Sequence, residues 1–459
     1  MNEDVTRAQV VRIPVGGRRS GTAPLTWAQR LQWNDTEWMK PHDHHFNQGK
    51  VLAVPPDCGL PEVVEAVGAV VTRHESLRTR YPVDAGGGPV QRLADAEELL
   101  VPVYRTSAPD PARAATRLCD RLRAERFELT EELPLRLAVL EHGGRPRYLV
   151  LVVSHVTLDY SGLVLLTEEL DALLHGRTTP AGLAPVHHQH FDQAAAEATP
   201  RLRQRSAAAL GYWEQVLRAA PVSIFDPPAG TPPAGTPVAD TDPDRFGQVT
   251  MVSPALTLAT GTLADRLGVS STTVLMAALN VVLGAVTGRA EVPVKLIASN
   301  RGFPELRDLV GIALGSCVTL VPTRDRGFPE VVRDTGQAAL RAYRRAQCDP
   351  VELSALRAAV SAERGVAEIE LSCGFNDMRP ARTQAAAARE ISDLRPRTEV
   401  VWDGPRPRQE VKLWYWAQES DGVDVHHALV DLHYLPRERT EELLLAVERV
   451  IVSAAVGAP

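Results

Sequence analysis

Apolar residues recur at helical spacing in some stretches of the chain and run continuously in others, and the two patterns alternate. Leu60–Arg73 (LPEVVEAVGAVVTR) repeats apolar residues with helical period, and Pro61 suits the first turn of that helix. A second helix is predicted over 112–125, followed by a β-branched run at 147–153 (RYLVLVV) of strand length. Residues 154–162 read as a polar loop and 163–174 (LVLLTEELDALL) as a helix. A short loop gripped between a strand and a helix is a good mount for reactive side chains, because both flanks are rigid. Further on, strands at 247–251 and 292–297 flank a long helix with an apolar stripe at 272–286. Strands near 367–375, 411–418 and 423–430 precede a closing helix from Arg437. Helices and strands alternate in both halves, which points to α/β or α+β architecture in two lobes.

The punctuation suggests boundaries. Residues 1–24 lack periodicity and read as a loose opening segment, 25–180 as an N-terminal lobe and 181–459 as a C-terminal lobe. The polar, His-rich stretch 176–200 marks the junction. Residues 221–243 form a loop whose PAGTP-PAGTP tandem at 228–237 excludes helix and strand interiors and is too short to be a repeat fold.

Composition narrows the function classes. At 459 residues, 44% hydrophobic and 23% charged, the chain can bury an ample core without disulfides or metal staples. A net charge of −7, from 50 basic and 57 acidic residues, argues against a dedicated nucleic-acid binder, which needs a concentrated positive field. Cys58, Cys119, Cys317, Cys348 and Cys373 are scattered, odd in number and free of CxxC pairs, against both a disulfide framework and a zinc ribbon. The N-terminus has no apolar core of signal-peptide length, and the longest apolar stretch, 273–286, is interrupted by Asn280 and falls short of the ~20 residues of a membrane span. The expectation is a soluble cytoplasmic protein, monomeric, with no membrane or nucleic-acid partner.

Candidate chemistry centres on Ser154-His155-Val156-Thr157-Leu158-Asp159-Tyr160. A His directly after a buried strand, with an Asp four residues on, is one way to hold an imidazole beside a fixed carboxylate, and imidazole can take a proton from an incoming nucleophile near neutral pH. Alone, the HxxxD spacing arises often by chance. Other candidates have plainer readings. His74, between Arg73 and Glu75 at a helix end, reads as structural. The groups His42, His44, His45 and His187, His188, His190 lack Cys or carboxylate partners at metal-ligand spacing and read as solvated loops, so no metal is expected. Trp402, Trp414 and Trp416 could line a tunnel, but the period of two at Trp414 and Trp416 reads as one face of a strand, with core packing the default. Cys317 and Cys373 have no local base and read as small buried residues.

Several motifs, in order, resemble the condensation-domain family of nonribosomal peptide synthetases. Residues 25–33 (LTWAQRLQW) are similar to its opening S-x-A-Q-x-R-L-W motif, and 73–81 (RHESLRTRY) is nearly its whole RHExLRTxF motif. Phe127-Glu128-Leu129 with Pro134-Leu135-Arg136 resembles the approach to the active-site strand, and 154–159 occupies the place of HHxxxD. Tyr212-Trp213, Asn300-Arg301, Pro304-Glu305-Leu306, Leu309-Val310-Gly311, Phe375-Asn376 and Asp431-Leu432 follow in family order. The resemblance spans about residues 25–450.

It implies two lobes, each similar to chloramphenicol acetyltransferase, forming a V-shaped pseudo-dimer with the active site in a tunnel between them. It implies His155 as base or orienting group, Asp159 as a structural residue paired with Arg301 across the lobes, and Ser316, Asn376 and Trp414 along the substrate tunnel. The chain departs from the pattern at Ser154, where the first motif His stands, at Tyr160, where the family has Gly, and at Gly315-Ser316, where it has Asn-Thr. A Tyr at 160 could narrow the tunnel, add a phenolic hydrogen bond or block the reaction.

The implied function is that of a free-standing condensation enzyme joining a carrier-bound acyl or aminoacyl thioester to an amine or alcohol in natural-product biosynthesis. No carrier attachment motif is visible, so donors arrive in trans on the phosphopantetheine arm of a carrier protein, or on coenzyme A; no permanently bound cofactor is implied. A coenzyme A-dependent acyltransferase is a related alternative, and a degenerate domain acting as a docking or recruitment module is one of another class. Epimerisation is disfavoured by the lack of a second-lobe acidic motif, and heterocyclisation by Ser rather than Asp at 154.

Overall fold

The β-branched runs pair into two large sheets, one in each of two units of the chain. A computed structural model describes residues 5–226, 242, 244–379, 387–407, 409–420 and 422–457; the PAGTP tandem lies outside the described residues. The first unit comprises Met1–Arg203 and Ser299–Gly315, the second Gln204–Ala298 and Ser316–Pro459.

Strands of the first unit are β1 (Thr6–Gly16), β2 (Gly21–Pro24), β3 (Gln48–Ala53), β4 (Thr79–Arg80), β5 (Val90–Leu93), β6 (Ala96–Thr106), β7 (Leu135–His142) and β8 (Arg145–Val153). Its helices are α1 (Trp27–Met39), α2 (Leu60–Arg73), α3 (Pro111–Arg123), α4 (Tyr160–Leu174) and α5 (His190–Glu197). The main sheet has the order β1-β6-β7-β8-β3, and β2, β5 and β4 form a small one. Only the β6–β7 pairing of the main sheet is parallel. Within it, residues 149–153 are continuously apolar because their sheet is buried on both faces. Leu149, Leu151 and Val153 pack with Val67 and Val70 of α2 and with Leu163 and Leu166 of α4. Val150 and Val152 pack on the opposite side with Ala115 and Leu118 of α3.

The second unit contains α6 (Pro200–Ala219), whose first turn belongs to the first unit, then β9 (Phe246–Val252), α7 (Pro254–Leu267), α8 (Ser271–Thr287), β10 (Glu291–Ala298) and β11 (Gly315–Pro322). It continues through α9 (Phe328–Tyr343), α10 (Pro350–Glu363), β12 (Cys373–Asp377), α11 (Ala388–Leu394), β13 (Glu399–Arg406), β14 (Leu413–Ser420), β15 (Val423–Asp431) and α12 (Arg437–Val456). The sheet order is β11-β10-β12-β14-β15-β9-β13, parallel through β10, β12 and β14 and antiparallel from β14 to β13. One face packs Phe375, Leu413, Tyr415 and Ala417 in a core that includes Leu256 and Leu263 of α7, Leu275 and Leu279 of α8, and Leu444 and Val447 of α12.

Three boundaries differ from expectation. The opening segment is not loose: β1 pairs with β6 from Thr6 to Gly16. Its exposed first half, at the sheet edge, carries no apolar period to read. The first unit runs through the polar 176–200 stretch, which contains α5, and it recovers Ser299–Gly315 from later in the chain. Helix α4 starts at Tyr160, so three residues read as loop are its first turn. Among the described residues no single helix is long and apolar enough to cross a membrane.

Candidate functional site

After Val153 the chain leaves β8 through a tight turn. Ser154 N–H donates to Pro134 O at 3.0 Å, and the amides of Thr157 and Leu158 donate to Ser154 O at 3.0 and 3.3 Å. Val156, Thr157 and Leu158 are wholly buried, so the turn is clamped by packing while His155, just before them, stays partly exposed. His155 Nδ1 lies 2.8 Å from Leu158 O. A carbonyl only accepts, so Nδ1 carries the proton of the neutral ring and Nε2 keeps its lone pair. Gln48 on β3 donates from Nε2 to the same carbonyl at 2.8 Å, so that oxygen accepts from both; the two donor nitrogens stand 2.7 Å apart and make no hydrogen bond with each other. Desolvation pushes the imidazole below its ordinary pKa, against the opposing pull of the Leu158 hydrogen bond and the Asp159 charge. A neutral imidazole with an open Nε2 is chemically able to accept a proton.

Asp159 has other partners. Its Oδ1 caps α4 by accepting from Gly162 N–H at 2.7 Å, and the same oxygen accepts from Arg301 Nη2 at 2.7 Å. Oδ2 accepts from Ala313 N–H at 2.9 Å. The side chains are almost out of solvent, Asp159 at 2% and Arg301 at 11% exposure. Arg301 also donates to the carbonyls of Leu306, Arg307, Leu309 and Gly311. Asn300, at φ 53°, turns the chain immediately before it, in the left-handed region that Asn tolerates better than most residues. The 299–315 segment is thereby tied to the start of α4, so closely that a Cβ on Gly162 would stand 2.5 Å from Gly311 O. Farther along it, Ile312 N–H donates to His190 Nε2 at 3.0 Å. The expected lobe-bridging pair therefore lies within one unit, because Arg301 returns to the unit that holds Asp159.

The condensation-domain family model matches residues 19–366. The chain belongs to the condensation-domain family. It is 31% identical over 298 residues to the phosphinothricin tripeptide synthetase PhsC of Streptomyces viridochromogenes, covering 63% of this chain and 27% of that protein. The chain thus spans about a quarter of that curated relative's length. Its fold is similar to the structure describing condensation-domain-mediated chain release from the enacyloxin polyketide synthase, with TM-score 0.71, 21% identity and coverage of 96% and 85%. It is also similar to the X-domain in the complex of the X-domain and OxyB from teicoplanin biosynthesis, with TM-score 0.67, 17% identity and coverage of 95% and 94%. Condensation domains of nonribosomal peptide synthetases are acyltransferase-type enzymes that form amide bonds in natural-product biosynthesis, using carrier-bound substrates.

Within this condensation-domain fold, the turn brings Ser154, His155, Asp159 and Arg301 into one unit, with Ser154 buried. Tyr160 opens α4 at 50% exposure, its ring 5.7 Å from Lys50 Nζ. The close backbone approach in this loop falls at Gly162 rather than at 160. The other three candidates belong to the second unit. Ser316 is buried on β11, and its hydroxyl has no hydrogen-bond partner among the described residues. Asn376 on β12 and Trp414 on β14 are half-buried, and the Trp414 ring covers Gly374 so tightly that a Cβ there would meet it at 2.0 Å. Trp414 and Trp416 do not join the core. They alternate with buried Leu413, Tyr415 and Ala417 and so occupy the other face of the sheet, where Trp416 stacks on His427 at 4.7 Å.

His74 caps α2 and is buried against Glu169 at 2.7 Å. His190, expected in a solvated loop, is instead wholly buried at the start of α5, where desolvation lowers its pKa to about 4. Cys317 and Cys373 are buried, and desolvation raises both thiols far above their ordinary range, which removes the thiolate a nucleophile needs. Among the described residues no three His, Cys, Asp or Glu side chains are grouped to hold a metal. Gln48 was invisible to motif reading: it lies in no motif, and its role depends on β3 pairing with β8, where Gln48 stands opposite Val153.

Proposed function

We propose that this chain catalyses amide or ester formation between an acyl or aminoacyl thioester on the phosphopantetheine arm of a carrier protein and a small amine or alcohol acceptor. His155 takes the acceptor's proton through Nε2 as the nucleophile attacks the thioester carbonyl. The observation that carries this reading is the imidazole itself: neutral, held at Nδ1, and without a protein partner at Nε2 among the described residues. Asp159 and Arg301 keep the loop and the 299–315 segment in place, a positioning role suited to a reaction that consists mainly of bringing two reactants together. In this reading the protein works in the cytoplasm as a monomer, and phosphopantetheine or coenzyme A enters as part of the substrate. Incubation with a panel of carrier-bound thioesters and amine or alcohol acceptors, read by product mass, tests it. Condensed product from a carrier-bound donor is expected, and product only from coenzyme A thioesters would favour the soluble-donor acyltransferase.

A second reading is a recruitment module. Ser154 and Tyr160, both departures from the family motif, favour it. So does the likeness to an X-domain described in complex with OxyB. Binding of a partner enzyme with no turnover of any donor would support it.

A further inference from the structure

We propose that Lys50 reads a carboxylate on the acceptor, so that this chain acylates small amines or alcohols that also carry a free acid group. The place given to the acceptor rests on the proton-acceptor reading of His155 above; the open charge on Lys50 does not.

The chain has four lysines, and three are engaged: Lys40, Lys295 and Lys412 each have a carboxylate within 3.2 Å, at Glu37, Glu410 and Glu370. Lys50 has no carboxylate partner among the described residues, and its ammonium lies 5.7 Å from the centre of the Tyr160 ring. The strand sets its direction. Side chains alternate across β3. A Cβ on Gly49 would meet Cys119 Sγ and Arg123 Cδ of α3 at 2.6 Å, so that position faces α3. Gln48 and Lys50 therefore face the opposite side, where Gln48 donates to Leu158 O in the His155 turn and Lys50 reaches Tyr160, the first residue of α4. Two residues of strand separate Lys50 from Gln48 by roughly 7 Å. The carboxylates of the surrounding elements are already paired: Asp159 with Arg301, Asp43 with Arg126, and Glu169 with Arg73 and His74. Lys50 is half-buried while Tyr160 is half exposed, so the ammonium is partly shielded from water and still reachable. The aromatic face holds the cation without neutralising it. An ammonium in this state is answered best by an anion brought from outside, through a charge-assisted hydrogen bond. The acceptor is the substrate that meets His155 Nε2, and a free amino or hydroxy acid keeps its carboxylate, whereas an acyl group on a carrier has its carboxyl tied up in the thioester. In the reaction the acceptor's nitrogen or oxygen bonds to the acyl carbon, the C–S bond breaks, and the proton taken by His155 leaves with the thiol. The carboxylate changes no bond and stays on the product.

The probes are the ω-amino acids from glycine to 6-aminohexanoic acid and the primary amide of each, a ladder of lengths with and without the charge. With a carrier-bound donor, wild type should favour acid over amide by roughly 10- to 100-fold in kcat/KM at the best length, the worth of one hydrogen bond to a charged group. Lys50→Met, which keeps the apolar stem, should erase that preference chiefly through KM, and Lys50→Arg should retain it. Equal use of acids and amides by wild type overturns the proposal. So does a preference that survives in Lys50→Met, and so does a Lys50→Met defect confined to donors with acidic side chains, which would give the charge to the donor. An edge-strand lysine that only guards against strand pairing would leave acceptor scope unmoved in Lys50→Met, which also overturns it. Binding is read without turnover: in the full chain labelled with ¹³C at lysine Cε, Lys50→Arg identifies one of four signals. The acids should shift that signal in wild type and in His155→Ala alike, and the amides should not; no shift with any acid overturns the proposal. A shift retained in a protein that transfers nothing leaves Lys50 as the carboxylate reader and removes the base reading of His155.

Discussion

Replacing Asp159 by Asn removes one charge and leaves the shape of the side chain nearly unchanged, so its cost can be worked from the contacts. Asn retains an oxygen for Gly162 N–H and Arg301 Nη2, and Asn is itself a good N-cap, so the start of α4 survives. Its amide NH₂ then faces Ala313 N–H, stranding a buried donor at a cost of about 1–3 kcal/mol. The Arg301 guanidinium also loses its counter-charge, and breaking a buried pair from one side costs about 3–5 kcal/mol. The backbone carbonyls that Arg301 keeps at Leu306, Arg307, Leu309 and Gly311 hold that figure toward its lower end. A net loss of about 4 kcal/mol, at roughly 2–4 °C per kcal/mol for a unit of this size, lowers the melting temperature by on the order of 10 °C. Calorimetry of wild type, Asp159→Asn, Arg301→Gln and the double variant measures it. The double variant should be more stable than the sum of the single losses implies, by at least about 1 kcal/mol, because no lone charge remains buried. A single variant melting within about 2 °C of wild type, or strict additivity, would refute the reasoning.

Two other outcomes follow from the structure. His190 is buried and neutral with a folded pKa of about 4, below the 6.5 of a free imidazole, so the unfolded chain binds the proton first as pH falls. Its contribution is complete above pH 6.5 and is lost toward pH 4, about 3 kcal/mol in all by the usual 1.36 kcal/mol per pKa unit; denaturant midpoints across that window should flatten in His190→Gln. Tyr160→Phe keeps the ring beside Lys50 and should match wild type in acceptor scope, whereas Tyr160→Gly frees the volume and should broaden it; a Phe variant that loses turnover would instead give the hydroxyl the task of orienting the acceptor.

What the sequence revealed depended on whether the signal was local. Helix α2 ends where its apolar period ends, with Pro61 and Glu62 at one end and His74 at the other, and its bounds were readable residue by residue. The His155 turn was equally visible, because strand, polar loop and helix are contiguous. Strand β1 was missed because an edge strand with exposed side chains owes its existence to its partner β6, some ninety residues on. The fate of 299–315 was hidden for a similar reason: Asp159, His190 and Ser76 hold that segment, and they lie far back in the chain. Gln48 belongs to the same class, a side chain made relevant by strand pairing alone.

The central claim is that His155 accepts the nucleophile's proton. Its most direct measurement is the pH dependence of single-turnover acyl transfer from a carrier-bound thioester by wild type and His155→Ala. Wild type should hold its rate down to a pH below the ordinary histidine value and then fall, since protonating the imidazole removes the base. His155→Ala should be slower by roughly 10²–10⁴-fold and should lack that acid limb. A folded His155→Ala protein that transfers at the wild-type rate with the same pH profile contradicts the claim.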